Sequence, residues 1–330
     1  MKVLVTGASG HVGGNLVRAL LARGDRVRAT IHGDERALDG LDVERVACDT
    51  RDARQVRAAV DGCELVYHCA ALISIDGGRG GLVEATNVRG PQNVAEACLD
   101  AGVKRLVHVS SIHALSQRPL DAPIDETRPW AFEAESGVPA YDASKGRGER
   151  EVLSVVKRGL DATIVNPGGI IGPFDFKPSR MGRVVLDVAN RKLPALVPGG
   201  FIWVDVRDVV AGMLAAAEKG RTGERYLLTG EWAPVREVAE AVRDATGVKL
   251  PGTSPMWAAR MGAPFFQAYG RLARREPLYT GESLRALRWN KAVSHEKASN
   301  ELGFAPRSVR ETVQDTVAWF RDAGQIGGAV

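Results

Sequence analysis

The chain opens with the stretch Lys2-Val3-Leu4-Val5-Thr6-Gly7-Ala8-Ser9-Gly10-His11-Val12-Gly13, an apolar run followed by three regularly spaced glycines. The apolar run predicts a buried strand, and the apolar periodicity of residues 11–23 predicts a helix directly after the glycines. A glycine turn between a strand and a helix collects backbone N–H groups at the positive end of the helix dipole. The stretch therefore predicts a binding site for the pyrophosphate of a dinucleotide.

Each glycine has its own predicted role in that site. Gly7 permits the tight turn, Gly10 lets the backbone approach the pyrophosphate, and Gly13 lets the helix pack close to the strand. The spacing is wider than the usual dinucleotide fingerprint, so the alternative is a plain turn between a strand and a helix. We expect the pyrophosphate to be held by the residues of the loop and the first helical turn, Gly7, Ser9, Gly10, His11 and Val12.

Apolar runs alternate with amphipathic stretches through the first half of the chain, which indicates an α/β fold. After the first strand, further strands are predicted at 26–31, 43–47, 65–68, 104–110, 162–165, 201–204 and 225–228. Helices are predicted at 52–60, 82–100, 141–157, 235–246, 255–274, 295–302 and 309–323. Short strands separated by helices indicate right-handed crossovers and a parallel sheet covered on both faces.

We therefore predict a Rossmann-like, doubly wound parallel sheet with a smaller, discontinuous and mostly helical substrate lobe. The Rossmann domain would comprise residues 1–165 and about 201–230, and the substrate lobe about 166–200 and 231–330. Proline and glycine become dense after Asn166-Pro167, which predicts loops and short elements that wall a pocket.

Composition excludes several other classes of protein. The 330 residues are 45% hydrophobic and 25% charged, and the net charge is +4 with scattered Lys and Arg, so we expect no nucleic-acid partner. No apolar run reaches membrane-spanning length, so we expect no membrane partner. The four cysteines lack the spacing of a metal site or a disulfide framework, which predicts reduced thiols, no metal, and a cytoplasmic location.

A second informative segment is Pro139-Ala140-Tyr141-Asp142-Ala143-Ser144-Lys145. Tyr141 and Lys145 are four residues apart on a predicted helix and therefore share a face. A free tyrosine titrates at about 10, and a nearby ammonium is expected to lower that pKa. The alternative is an ordinary surface pair. Gly146 and Gly148 interrupt the same helix, and either permit close packing or are simply tolerated.

Ser111 ends the neighbouring strand at the carboxyl edge of the predicted sheet, where ligands of open α/β sheets bind. Ser110 is the weaker candidate, because strand alternation turns its side chain into the sheet. We predict that Ser111, Tyr141 and Lys145 form the catalytic group, with Tyr141 as general acid in a hydride-transfer reaction.

Together these motifs resemble the extended short-chain dehydrogenase/reductase superfamily, also known as the NAD-dependent epimerase/dehydratase family. The likeness covers nearly the whole chain and is strongest to dihydroflavonol-reductase-like proteins and the related sugar-epimerase-like proteins. It extends to four more segments, Asn87-Val88-Arg89-Gly90, Asn166-Pro167-Gly168-Gly169, Val204-Asp205-Val206-Arg207-Asp208 and Glu301-Leu302-Gly303-Phe304.

The resemblance implies further cofactor contacts, in addition to Tyr141 and Lys145, at Asp49, Thr50, Ala70, Ala71, Asn87, Pro167 and Gly168. It also implies that Lys145 holds the ribose hydroxyls of the nicotinamide. Relatives often dimerise through the two helices that correspond to residues 82–100 and 141–157, so a homodimer is expected.

The end of the second strand bears on which nicotinamide is used. An acidic residue at this place binds the ribose hydroxyls and repels a 2′-phosphate. Here the strand ends in Ala29-Thr30-Ile31-His32-Gly33 without a carboxylate, and Asp34 and Glu35 follow only later. Family reductases often carry an arginine where His32 stands, and Arg36 is within reach of a phosphate. We therefore expect NADP, with contacts from His32 and Arg36, and keep NAD as the alternative.

The predicted function is an NAD(P)-dependent carbonyl reductase or alcohol dehydrogenase that acts on a small or medium, partly apolar small-molecule substrate. Dehydratase relatives carry acidic residues after the catalytic serine, whereas this chain has Ile112-His113. One alternative is a nucleotide-sugar epimerase with the same Ser–Tyr–Lys group, in which Arg180 and Arg183 would hold the diphosphate unless they are scattered surface arginines. The other is a non-catalytic dinucleotide sensor. The glycine-rich loop 75–81 is either a lid or a flexible connection.

Overall fold

The structure is a computed structural model that describes residues 1–74, 77–262 and 281–327. Its main sheet has seven parallel strands in the order β3-β2-β1-β4-β5-β6-β9, and a small sheet has the order β10-β8-β7. The strands are β1 Lys2–Thr6, β2 Arg26–Ile31, β3 Glu44–Ala47, β4 Leu65–His68, β5 Arg105–Val109, β6 Ala162–Pro167, β7 Gly169–Ile171, β8 Gly200–Asp205, β9 Arg225–Leu228 and β10 Trp232–Pro234. The predicted Rossmann-like parallel sheet is confirmed.

Helices cover both faces of this sheet. They are α1 His11–Ala22, α2 Ala53–Val60, α3 Leu82–Glu84, α4 Gly90–Asp100, α5 Ala131–Ala134, α6 Ala140–Val156, α7 Arg180–Ala189, α8 Val206–Lys219, α9 Val235–Thr246, α10 Gly281–Ala286, α11 Glu296–Leu302 and α12 Val309–Asp322. A π-helical stretch, Ala85–Arg89, joins α3 to α4.

The alternation of side chains along β1 shows how the two faces are filled. Val3 and Val5 belong to a core that contains residues of α1, α8 and α11. Leu4, between them, belongs to a second core built with α2, α4 and α6. Because successive side chains of a strand point to opposite faces, an uninterrupted apolar run is what a doubly covered parallel sheet requires.

A third apolar core lies beyond the carboxyl edge of the main sheet. Residues of α7, α9, α10 and α12 pack there around Trp203 of β8, which is completely buried. The indole Nε1 of Trp203 donates to the Ala233 carbonyl at 3.0 Å, which ties β8 to β10. These elements wall one side of the cavity described below.

The structure differs from the predicted elements at several points. The expected continuous helix 82–100 is divided by the π-helical stretch. The region 166–200 was predicted as loops and short elements, and it also holds β7 and α7. The helix can form because most of the proline and glycine residues of this region lie outside it. The helix α8 was not predicted at all. Of the predicted helix 255–274, residues 256–262 are helical, and 263–274 lie outside the described part of the chain.

Candidate active site

A cavity of about 470 Å³ follows the carboxyl edge of the main sheet. The glycine loop lines one end, and residues from α7, β8 and the segment after α10 line the other. Ser111, Tyr141 and Lys145 lie between the two ends. The cavity thus joins a candidate cofactor site to a candidate substrate site, with the predicted catalytic residues in the middle.

The glycine loop is shaped by backbone contacts that exclude side chains. Gly7 has φ +65°, and a Cβ atom on it would lie 2.7 Å from the backbone nitrogen of Ala70. A Cβ on Gly13 would lie 2.2 Å from the Gly7 carbonyl oxygen, so Gly13 brings α1 against the loop, whereas the sequence predicted contact with the strand. In this described stretch no side chain caps the first turn of α1, and its first turn contains no acidic residue. The N–H groups there suit an anion.

The three predicted catalytic side chains come from two elements. Ser111 lies two residues after the end of β5, whereas Tyr141 and Lys145 lie in the first half of α6. The Ser111 side chain acts on the Tyr141 phenol and lowers its pKa, so the two side chains lie close to each other. Lys145 is buried, and its Nζ donates to the Val109 carbonyl at 2.8 Å. The structure thus brings these side chains to one wall of the cavity.

The electrostatics of Tyr141 differ from the prediction. Burial raises the pKa of Tyr141 well above its ordinary value, Asp142 raises it further, and Ser111 and Arg180 oppose the change. The expected lowering of this pKa by Lys145 is therefore wrong, because the Lys145 ammonium is directed to the Val109 carbonyl. Burial also lowers the pKa of Lys145 to about 8. At neutral pH the phenol keeps its proton.

Ser110 lies beside Ser111 at the same wall, but its hydroxyl is buried and has no partner among the described residues. The Ser111 Oγ, by contrast, accepts the backbone N–H of His113 at 3.2 Å, and Ser111 is the serine that acts on the pKa of the Tyr141 phenol. Ser111 therefore remains the predicted catalytic serine.

His113 and Trp289 form an aromatic wall next to Tyr141. The His113 ring centroid lies 4.3 Å from that of Trp289 and 6.2 Å from that of Tyr141. Burial lowers the pKa of His113 to about 4, so the imidazole is neutral at physiological pH. The sequence did not single out Trp289, because nothing local connects position 289 to the edge of the sheet.

Arg180 is a second residue that the sequence undervalued. It begins α7 and lines the cavity, and its charge acts on the Tyr141 phenol. The scattered-surface interpretation is therefore wrong for Arg180. Arg183, one turn later, is not among the residues that line the cavity. The sequence feature that could have indicated a helix beginning at Arg180 is Ser179, whose Oγ accepts the Gly182 N–H at 3.0 Å and caps α7.

The predicted cofactor residues fall into two groups. Besides Tyr141 and Lys145, those that line the cavity are Gly7, Gly10, His11, Val12, Ala71, Pro167 and Gly168. Those outside its lining are Ser9, His32, Arg36, Asp49, Thr50, Ala70 and Asn87. The second group lies mostly around the ends of β2, β3 and β4.

Asn87, which the resemblance implies as a cofactor contact, is hydrogen-bonded within the protein. Its Oδ1 accepts the Leu72 N–H at 2.8 Å, and its Nδ2 donates to the Leu72 carbonyl and to Ser144 Oγ at 2.9 and 3.0 Å. A Cβ on Gly148 would lie 2.2 Å from the Asn87 carbonyl oxygen. Gly148 therefore permits close packing, and Asn87 holds the loop after β4 against α6.

This arrangement has counterparts among known proteins, since residues 3–228 match the NAD dependent epimerase/dehydratase family. The chain belongs to that family. It is 42% identical to sterol demethylase protein B of Methylococcus capsulatus, over 99% of this chain and 100% of that protein. It is 32% identical to a putative dihydroflavonol 4-reductase of Synechocystis, over 98% and 95% of the two chains.

Among solved structures, gox2253 superposes with a TM-score of 0.83 at 35% identity, covering 98% of this chain and 99% of that one. The predicted family and its dihydroflavonol-reductase-like character are confirmed. The chain is thus an oxidoreductase- or epimerase-like member of a family of NAD-dependent enzymes.

The residues of the site fit such a dinucleotide. Side chains at Gly7 or Gly13 would fill the loop with Cβ atoms, and the adjoining helix turn is uncapped. The cavity then continues without interruption to Lys145.

The described residues also bear on metal binding and on membrane insertion. Within residues 1–74, 77–262 and 281–327, no group of three or more His, Cys, Asp or Glu side chains is arranged to hold a metal ion. No helix in the same ranges combines the length and apolar character needed to cross a bilayer.

Proposed function

We propose that this family member is an NAD(P)-dependent oxidoreductase that interconverts a carbonyl and an alcohol on a partly apolar substrate. The observation that carries the proposal is that Ser111, Tyr141 and buried Lys145 line the same cavity as the glycine loop. A dinucleotide that lies along the loop would bring its nicotinamide toward these side chains.

The chemistry divides between the cofactor and the protein. When bound, the nicotinamide dinucleotide supplies or accepts the hydride at the substrate carbon. Ser111 donates a hydrogen bond to the substrate oxygen, and Tyr141 gives its proton to that oxygen in the direction of reduction. The high pKa of the buried phenol keeps this proton available at neutral pH. Lys145 would hold the ribose hydroxyls.

The far end of the cavity favours an apolar substrate. Its lining is contributed by aliphatic and aromatic side chains on α7, on β8 and on the segments that follow α7 and α10, namely Met181, Val184, Leu193, Val197, Phe201 and Leu287. Such walls stabilise a bound molecule by removing its apolar surface from water. Two of the relatives are named a sterol demethylase protein and a putative dihydroflavonol 4-reductase. Sterols and dihydroflavonols are polycyclic alcohols or ketones. We propose that this chain acts on the same chemical class.

Nucleotide-sugar epimerisation is the second candidate, and Arg180 in the cavity is the observation that favours it. An epimerase must hold a diphosphate, for which Arg180 and Lys177 are the cationic side chains that line the cavity beyond Lys145 in the described chain. The apolar end described above leaves a hydrophilic sugar nucleotide with few partners. We therefore place the reductase first.

A substrate panel tests this choice. With NADPH or NADH, we expect kcat/KM for a polycyclic ketone to exceed that for acetone by at least about a hundredfold, because each buried CH₂ is worth about 0.8 kcal/mol. Met181→Glu, which introduces a charge into the apolar end, should raise KM for the polycyclic ketone about tenfold and leave acetone unaffected. Leu120→Glu, at an exposed leucine outside the cavity lining, is the control. Interconversion of UDP-sugars without net cofactor consumption would instead identify an epimerase.

The end of β2 supports NADP as the cofactor. The Asp34 carboxylate accepts Arg36 Nε at 3.0 Å and Arg36 Nη2 at 2.6 Å, and this pairing lowers the pKa of Asp34 to about 2. The Asp34 carboxylate, the nearest one to the end of β2, is thus paired with Arg36. Lys177 also acts electrostatically on Asp34, and exposed His32 lies at the same strand end. We propose that Arg36 and Lys177 accept a 2′-phosphate and that the His32 ring contacts it.

Arg36→Ala tests the cofactor assignment. We expect it to weaken NADPH binding about tenfold, since a charged hydrogen bond contributes roughly 1.5–3 kcal/mol. The affinity for NADH should change by less than about twofold, because that cofactor has no phosphate at the 2′ position. Fluorescence titration of both cofactors provides the measurement. A wild-type protein that prefers NADH, or a variant that loses both cofactors equally, would contradict NADP specificity.

Two remaining proposals concern the surroundings of the enzyme. The helices that family members often use for dimerisation correspond here to α4 and α6, which pack side by side. We propose a homodimer through this face, which light scattering can test. The four cysteines are free thiols, three of them buried, and this agrees with the proposed cytoplasmic location.

A further inference from the structure

A buried carboxylate lies one helical turn beyond Lys145. Glu149 of α6 is 0% exposed. Its Oε1 accepts Asn166 Nδ2 at 2.6 Å, and its Oε2 accepts Trp130 Nε1 and Arg225 Nε, each at 2.8 Å. A buried charge is costly unless it is paired and hydrogen-bonded, and Glu149 has both kinds of partner.

The same network reaches the catalytic serine. Asn166 of β6 is completely buried, and its Nδ2 also donates to the Ser111 carbonyl at 2.9 Å. A single amide therefore connects the end of β5, which carries Ser111, to Glu149 on the helix that carries Tyr141 and Lys145. Arg225 anchors this connection to β9 through its ion pair with Glu149.

Glu149 is also the negative charge that acts on Lys145. Among the described residues, Glu149 and Cys69 are the groups that favour the charged form of the lysine. Burial raises the pKa of the Cys69 thiol to about 12, so it is neutral at physiological pH. His68 and His108 face Lys145 from β4 and β5, and burial holds both of them neutral. The carboxylate is thus the one anion in this set.

We propose that Glu149 is a positioning residue of the active site, which holds Ser111 in register with Tyr141 and keeps the Lys145 ammonium charged beside the cofactor site. This inference rests on the proposed oxidoreductase function for its kinetic consequences. Its effect on Lys145 is a property of the protein itself and is measurable without turnover.

Glu149→Gln removes the charge with little change of shape. We expect Lys145 to lose its proton about one pH unit lower than in the wild type, where the pKa is about 8. Trace acetylation with acetic anhydride, followed at Lys145 by mass spectrometry across pH, reports this directly in the cofactor-free protein. The basic limb of the kcat/KM profile should move to lower pH by the same amount. In addition, kcat should fall about tenfold, because the serine and the phenol lose their register.

Glu301→Gln is the matched control. Glu301 also accepts hydrogen bonds from an arginine and an aromatic side chain, Arg221 and Tyr226, but it is not part of the cavity lining. This variant should retain the wild-type labelling curve and kcat. An unchanged Lys145 labelling curve in folded Glu149→Gln, or an unchanged kcat, would overturn the proposal.

Asn166→Ala separates the two proposed roles of Glu149, the positioning of Ser111 and the effect on Lys145. It also tests the positioning role if Glu149→Gln does not fold. It breaks the connection to Ser111 and leaves the Glu149 charge in place. We expect kcat to fall about tenfold with the Lys145 labelling curve unchanged. A wild-type kcat in this variant would refute the positioning role. If the wild-type enzyme turns over no carbonyl at all, the proposed function fails, while the labelling experiment still judges Glu149.

Discussion

Replacing Tyr141 by phenylalanine is expected to lower kcat about a thousandfold, the typical contribution of a well-placed general acid. The variant keeps the ring and its packing but removes the hydroxyl that carries the proton. Without it, the substrate oxygen loses the group that we propose as its proton donor. Stopped-flow or steady-state consumption of NADPH with the best ketone of the panel measures the loss. Cofactor affinity should stay within about twofold, because the glycine loop is untouched.

Tyr226→Phe is the control for this substitution. Tyr226 is likewise buried and hydrogen-bonded, since its hydroxyl donates to Glu301 at 2.7 Å, but it lies outside the cavity lining. Its loss should reduce the free energy of unfolding by about 1 kcal/mol and leave kcat unchanged. Full activity in folded Tyr141→Phe would show that another group supplies the proton, and the assignment of Tyr141 would be wrong.

A single methyl group at Gly13 is expected to weaken cofactor binding strongly. The new Cβ would lie 2.2 Å from the Gly7 carbonyl oxygen and 2.8 Å from Ala8 Cα. Both are backbone atoms of the loop, so the loop itself must move, and the N–H groups of the first turn lose their arrangement. We expect Gly13→Ala to weaken NADPH and NADH binding more than about tenfold and to destabilise the fold by about 2 kcal/mol. Fluorescence titration and urea denaturation measure the two effects.

The adjacent glycine provides the comparison. A Cβ on Gly14 would meet the Ala37 Cβ at 3.2 Å and no backbone atom closer than 3.5 Å. Gly14 does not line the cavity. Gly14→Ala should therefore retain affinity for both cofactors. If Gly13→Ala binds them as tightly as the wild type, the loop is not the site of the pyrophosphate.

Several features could be predicted from the sequence because they depend on neighbours in the chain. The glycine loop is one continuous segment, and its turn, its close approaches and its helix follow one another within a few residues. Tyr141 and Lys145 share a face of α6 because the helical repeat places residues four apart together. The all-parallel sheet followed from the alternation of apolar strands and amphipathic helices.

Other features escaped prediction because they depend on distant residues. The helix α8 has a buried apolar face, but it was not predicted, because the dense proline and glycine residues before it favoured loops. The hydrogen bonds by which Asn87 connects the loop after β4 to α6 could not be predicted, because its partners are Leu72 and Ser144. The pKa of Tyr141 was expected to fall, and it rises because burial outweighs the opposing effects of Ser111 and Arg180.

The amino-acid sequence alone determined the fold class, the family and the residue types of the proton-transfer centre, because short-range patterns encode them. Only the tertiary structure decided that Trp289, Arg180 and the apolar wall of α7 share a cavity with Ser111. It also decided that Glu149, Asn166 and Arg225 meet in one buried network. The physical reason is that desolvation and hydrogen bonding depend on which distant segments come together, and the local pattern carries no record of those neighbours.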